Sequence, residues 1–283
     1  DANGCTRTSG FAGNAQVVVN PIPFVSFSGL ASDYCVSDIA ITLIGNQAPS
    51  GTFSGSGITD GGNGTATFDP AAAGVGSHAV TYAFTDINSC YNESTQSTNV
   101  DAQPVADAGS GGNECDLDFT FSAAPTVGTG TWTMISGAGV PFFSNVNGDT
   151  SSVQVSTYGT YVFQWEEING QCSDQDTLTV SFYEQPVSDA GNGGSECDLT
   201  FGLAANASAG TGTWSQSSGP GTSGFGNAND AATTVTVSVV GTYEFIWTEL
   251  NGTCSDADTI SVDFFNQPVA DAGSGGNECD LDF

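Results

Sequence analysis

The chemistry open to this sequence rests on eight cysteines, 31 aspartates and glutamates, one histidine and one arginine, with no lysine at all. The cysteines are periodic. Cys115, Cys197 and Cys279 recur at an even spacing, and Cys90, Cys172 and Cys254 recur at the same one, with Cys5 and Cys35 completing the set. The long–short alternation of these spacings is a disulfide framework and predicts an oxidising, extracellular or cell-surface location. A zinc site would need closely spaced cysteine pairs, which the sequence lacks. The spacing leads us to expect one bridge per repeat: Cys35 with Cys90, Cys115 with Cys172 and Cys197 with Cys254. Cys5 and Cys279 would then pair with cysteines beyond the sequence. The stretch from Cys115 to Cys172 would close a loop of about 57 residues, worth about 4 kcal/mol on chain-entropy grounds.

The carboxylates gather in two places in each repeat. Asp107, Glu114 and Asp116 precede the first strand pattern, and Asp174 and Asp176 follow the last turn; Asp189, Glu196, Asp198, Asp256 and Asp258 repeat the arrangement. An in-repeat bridge would bring the two places together, and converging oxygen ligands suit calcium. No EF-hand or nonapeptide calcium motif is present, and a solvated acidic surface is the preferred reading. No cofactor is required; calcium is the one candidate. A net charge of −30 argues against nucleic acid and anionic lipid as partners, because both need Lys and Arg to displace counterions. No apolar run is long enough for a membrane helix, so no direct insertion is expected from this segment.

Catalysis finds little equipment. His78 and Arg7 are the lone histidine and arginine, and no serine sits in a G-x-S-x-G turn. Gly219-Pro220-Gly221-Thr222-Ser223-Gly224 fits G-x-G-x-x-G but lies between two strand patterns, so it reads as a turn rather than a phosphate cradle. His78 reads as an edge or loop residue before a strand. The expectation is a non-catalytic chain.

The elements that position these residues are strands. Gly, Ser, Thr, Val and Phe dominate while helix formers are scarce, the vocabulary of strands and turns. Gln103-Pro104-Val105, Gln185-Pro186-Val187 and Gln267-Pro268-Val269 open successive repeats, and Asn-Gly-x-Cys-Ser-Asp-x-Asp-Thr recurs at 169–177 and 251–259. Boundaries at 21–102, 103–184 and 185–266 follow, with part-repeats at 1–20 and 267–283. Residues 268–283 repeat 104–119 letter for letter, and the parent chain is expected to continue in both directions. Within 103–184, Leu117, Phe119 and Phe121 alternate with polar residues. Thr131–Met134, Pro141–Phe143 and Ser152–Val155 are further strand patterns. Tyr161, Phe163 and Trp165 share a face, and so do Leu178, Val180 and Phe182; the next repeat has Trp214, Tyr243, Phe245, Trp247, Ile260, Val262 and Phe264 in the same places. Six or seven short strands between regular turns predict an all-β chain of tandem immunoglobulin-like sandwich modules of about 82 residues, one disulfide to each.

Several segments resemble the polycystic-kidney-disease-like (PKD-like) immunoglobulin repeats of large secreted Bacteroidetes proteins. They are Pro-Val-Ala-Asp-Ala-Gly at 104–109, Gly-Thr-Trp-Ser at 212–215, Ser-Gly-Pro-Gly at 218–221, Thr-Val-Thr-Val-Ser at 234–238 and the Cys-Ser-Asp-x-Asp-Thr segments. Repeat 21–102 looks like a sister type, with Gly51-Thr52-Phe53-Ser54-Gly55, Phe68–Gly76 and Val80-Thr81-Tyr82. The resemblance implies a gliding-motility adhesin or a related protein exported by the type IX system. Asp176-Thr177-Leu178 and Asp258-Thr259-Ile260 resemble the O-glycosylation acceptor of that phylum, which makes Thr177 and Thr259 candidates. The expected function is a rigid acidic stalk whose partners are neighbouring modules of the same chain. The alternative is a self-assembling filament, for which Phe142, Phe143, Phe264 and Phe265 are candidate contacts, since consecutive aromatics on a strand point to opposite faces. A carbohydrate-binding module would need exposed tryptophans, and the pattern buries all four.

Overall fold

Alternating apolar residues oblige the chain to form sheets with one buried face, and the strand order shows which sandwich results. The structure, a computed structural model, describes residues 19–276. Cys5, Arg7 and Cys279 lie outside the described residues. The chain divides into two compact units. The first holds the described part of 1–105 together with 126–129 and 167–174; the second holds 106–125, 130–166 and the rest from 175 onward.

The first unit contains one sandwich. One sheet orders β1 (Phe27–Ser28), β3 (Ile41–Gly45), β6 (Thr65–Phe68) and β5 (Ile58–Asp60). The other orders β2 (Asp33–Cys35), β8 (Tyr91–Asp101), β7 (Gly76–Thr85) and β4 (Thr52–Ser54). Between them lie Val25, Phe27, Tyr34, Leu43, Phe53, Phe68, Val80, Tyr82 and Val100. A single helical turn, α1 (Pro70–Ala73), is capped by the Asp69 carboxylate, which accepts from Ala71 N and Ala72 N. Its proline at the first position is compatible with a helix start because that N–H has no intrahelical partner.

The second unit contains two sandwich cores. The strands of repeat 103–184 are β9 (Gly112–Glu114), β10 (Asp118–Thr120), β11 (Thr129–Ser136), β12 (Pro141–Phe143), β13 (Ser152–Val155), β14 (Gly159–Asn169) and β15 (Cys172–Phe182). They form sheets ordered β11-β14-β15-β9 and β10-β13-β12. Repeat 185–266 repeats this with β16 (Gly194–Glu196), β17 (Thr200–Ala204), β18 (Thr211–Ser218), β19 (Ser223–Phe225), β20 (Ala232–Val237), β21 (Gly241–Asn251) and β22 (Cys254–Phe264). Lettering the strands A′ to G in chain order gives A′GFC against BED, with A′ parallel to G. It is this order that makes the sandwich immunoglobulin-like. The chain is all-β.

Two further details fit that plan. Tyr161 and Tyr243 sit near the start of strand F and donate their hydroxyls to Thr157 O at 2.7 Å and Val239 O at 2.9 Å, four residues upstream. Such a bond is a tyrosine corner. Trp132 and Trp214, on strand C, are buried against Trp165 and Trp247 of strand F, with ring centroids 5.0 and 5.3 Å apart. Their indole N–H groups donate to Gly148 O and Ala231 O. The tryptophan pair fills the middle of the core, where no disulfide is found.

The alternations expected from sequence all fall on strands or directly beside them. Strands β9 and β16 were not expected: each is three polar or glycine residues beside strand G. They come close because Gly111 and Gly193 lack side chains, as a Cβ at either would run into Thr179 O or Ser261 O. His78 lies within β7 rather than before it, with Nε2 2.7 Å from Gly74 O. Residues 219–222 turn between β18 and β19, and no helix follows.

Candidate functional site: a hairpin tip clamped across the repeat boundary

The recurring Asn-Gly-x-Cys motif forms the tip of the F–G hairpin. In β21–β22, Asn251 pairs with Cys254, leaving Gly252 and Thr253 as a two-residue loop. Gly252 has φ +62° and Gly170, its counterpart, +58°. Glycine with positive φ at the first loop position is the type II′ turn, whose twist matches that of the strands. In the first sandwich the tip is instead a three-residue loop, residues 87–89, in which Ser89 N donates to Asp86 O and Ser89, the last loop residue, has φ +66°. The Asp86 carboxylate steadies the turn by accepting from Asn88 N and Cys90 N. The bond from Cys90 N does most to hold the Asp86 carboxyl below the usual carboxylate range.

The bridges differ from the in-repeat pairing expected from spacing. Cys35 is bonded to Cys172 and Cys115 to Cys254, with Cα–Cα distances of 5.0 and 5.5 Å. Cys90 and Cys197 are free thiols. The cause is the parallel A′ strand. Cys35 is in register with Asp101, the last residue of β8, whereas Cys90 stands just before the first, Tyr91. Cys197 follows Glu196, which is in register with Phe264, the last residue of β22, whereas Cys254 is the first. Ten residues of strand separate such cysteines by roughly 33 Å, far beyond the roughly 7 Å that a disulfide spans between Cα atoms. Each bridge therefore joins the far end of one repeat to the hairpin tip of the next.

Around each bridge the same contacts recur. In the first unit Asn169 Nδ2 donates to Ala102 O at 2.8 Å, and Gln103 Nε2 donates to Ser173 O at 2.8 Å. Gln171 N donates to Asp101 Oδ2 at 3.2 Å. In the second unit Asn251 Nδ2 donates to Glu184 O at 2.8 Å, and Gln185 Nε2 donates to Ser255 O at 2.9 Å. The tip glycine is forced by contact as well as by φ. A Cβ on Gly170 would meet the Asp101 carboxylate, and one on Gly252 the Tyr183 ring. The recurring residues Asn, Gly, Cys and Ser of the tip, and Gln of the Gln-Pro linker, thus all belong to one clamp.

The acidic residues have other employment. Asp176 Oδ2 accepts from Ala108 N, Asp256 Oδ2 from Ser188 N and Asp258 Oδ2 from Ala190 N, which pins each repeat's leading segment to its own strand G. Asp107, Asp116 and Asp198 cap local turns through Gly109 N, Asp118 N and Thr200 N. Asp189 accepts from Asn206 Nδ2 and Gly191 N, and these two bonds hold its carboxyl below its ordinary range. Glu114 and Glu196 sit at the strand G end of A′, so the acids that follow the tip are not gathered with them as an in-repeat bridge would have done. Among the described residues, no group of three or more His, Cys, Asp or Glu is placed to hold a metal ion. Thr177 and Thr259 are exposed on strand G.

A buried carboxylate was missed. Glu167 and Glu249 are 0% and 1% exposed, in the fourth inward position of strand F after Tyr, Phe and Trp. Glu249 accepts from Ser208 N, Ser208 Oγ, Ala209 N and Trp247 Nε1. Burial pushes its carboxyl up, but the bonds from Ser208, Trp247 and Ala209 together outweigh it and hold the group below the usual range. Glu167 accepts from Thr126 N and Thr126 Oγ1. Strict alternation continued one step past Trp165 and Trp247 would have pointed both glutamates inward.

No family model matches the chain, and no curated protein matches it. Among solved structures, three immunoglobulin domains of a titin variant are similar over 85% of this chain and 98% of that one, at 11% identity and TM-score 0.46. Extracellular domains 3–5 of Drosophila OTK are similar over 82% and 93%, at 10% identity and TM-score 0.43. A PKD domain solved in solution covers 30% of this chain and 92% of its own, at 23% identity and TM-score 0.27.

Proposed function

We propose that this chain is a non-catalytic stretch of an extracellular surface adhesin, a stalk built to resist extension. The observation that carries the reading is that both disulfides cross a repeat boundary. The bonds overlap: Cys115 lies inside the loop closed by Cys35 and Cys172, and Cys172 inside the loop closed by Cys115 and Cys254. Pulling cannot then lengthen the path from Cys35 to Cys254 beyond the stretch of chain between Cys115 and Cys172, even if every strand comes apart. Without the bonds the same path takes in the whole of 35–254. The net charge of −30 keeps such arrays apart and soluble, and the disulfides fit an oxidising compartment. The likeness of its segments to repeats of Bacteroidetes gliding adhesins supports the same role. The filament reading draws on Phe142, which is 72% exposed, while its neighbour Phe143 packs on the core.

Single-molecule stretching tests the stalk. The two paths differ by about 162 residues, and at about 3.5 Å each this predicts roughly 570 Å more extension once the bonds are reduced. Equal extension before and after reduction would remove the proposed role.

A further inference from the structure

The clamp occurs twice as a filled socket, and its components occur a third time without a tip. Phe265, Asn266 and Gln267 stand where Tyr183, Glu184 and Gln185 stand one repeat earlier, and Asp101, Ala102 and Gln103 two repeats earlier. Phe265 N donates to Glu196 O at 2.8 Å, as Tyr183 N does to Glu114 O. The backbone that presents the socket is therefore already set. Cys197, Leu199, Val239, Phe265 and Gln267 line an open depression of about 620 Å³. Cys197 is exposed and its thiol free. Phe265 is 54% exposed, whereas Phe264 beside it is 1% exposed.

We propose that this depression is an acceptor for the cysteine-bearing Asn-Gly hairpin tip of another repeat of this type, sealed by a disulfide to Cys197. The occupant is specified by what fills the other two sockets. A tip asparagine donates to the carbonyl at the position of Asn266, and Gln267 Nε2 donates to the carbonyl of the serine after the tip cysteine. A tip glycine would come against the Phe265 ring as Gly252 does against Tyr183, close enough that a Cβ would clash with it. The inference rests on this geometry and is independent of the mechanical role. The covalent step is thiol–disulfide exchange: the Cys197 thiolate attacks a mixed disulfide at the tip cysteine, the new S–S bond forms, and the displaced small thiol takes up a proton.

The test uses the full chain and a synthetic peptide of sequence 248–257, its cysteine carried as a mixed disulfide with glutathione, in a glutathione buffer. Digestion and mass spectrometry read the occupancy of Cys197 against Cys90, which is a free thiol on a tip rather than in a socket. We expect the Cys197 to Cys90 ratio to be about tenfold higher for this peptide than for a scrambled one, the advantage two hydrogen bonds of ordinary net strength supply. Gln267→Ala should remove about half of that advantage on a logarithmic scale. Equal ratios for the ordered and scrambled peptides, or no response to Gln267→Ala, would overturn the assignment.

Discussion

Replacing Cys115 and Cys254 together by serine removes one clamp bond without adding an unpaired thiol. The bond joins residues 139 apart, and closing a loop of that size restrains the unfolded chain by about 5 kcal/mol when the enclosed repeats unfold together. Guanidinium unfolding followed by tryptophan fluorescence suits the measurement, because the tryptophans are Trp132, Trp165, Trp214 and Trp247, all in the second unit. With slopes of about 2–6 kcal/mol/M in guanidinium, the midpoint should fall by roughly 0.8–2.5 M. The companion variant is Cys197→Ser. It should leave the midpoint where it was, because Cys197 is unbonded; were Cys197 bonded to Cys254, the same change would cost about 4 kcal/mol. A silent double variant, or a destabilised Cys197→Ser, would refute the cross-boundary pairing and the strand geometry from which it follows.

Glu249→Gln should destabilise the third sandwich by about 1–3 kcal/mol at neutral pH, because an amide offers one acceptor where the carboxylate offers two to Ser208, Ala209 and Trp247. The folded carboxyl is held low, so its contribution is fully present above the unfolded value of about 4.3 and lost as pH falls through the folded one. The gap in melting temperature between Glu249→Gln and the parent should therefore narrow below about pH 4, and a constant gap would sink the attribution to charge. Calcium should leave the melting temperature unchanged relative to chelator, since the hairpin acids Asp176, Asp256 and Asp258 already accept from backbone N–H groups. A calcium-dependent rise would restore the acidic clusters as ligands.

Much of the sandwich was legible because strands C, F and G announce themselves. Tyr161, Phe163 and Trp165, and Leu178, Val180 and Phe182, alternate over strands of 11 residues, too regular for any other local structure. Strand A′ was not legible: Gly112–Glu114 has no apolar residue, and it pairs by backbone approach across glycine rather than by a hydrophobic face. Glu167 and Glu249 were hidden for a related reason. A glutamate at the end of an apolar alternation reads as the point where the strand meets solvent, and donors such as those of Thr126, Ser208, Ala209 and Trp247 make its burial tolerable.

The disulfide pairing turns on that same invisible strand. In a chain of fixed period, bonding Cys115 to Cys172 or to Cys254 are readings that differ by one full repeat, so spacing alone gives them the same phase. Direction breaks the tie. A first strand running antiparallel to G would carry its trailing cysteine back toward its own hairpin tip, and the in-repeat bridge would form. A′ runs parallel, with Ser195 opposite Asp263 and Glu196 opposite Phe264, and so delivers the cysteine to the opposite end, where the next repeat begins. The three-residue strand with the weakest sequence signal thus decides whether the bonds staple each module to itself or chain it to its neighbour.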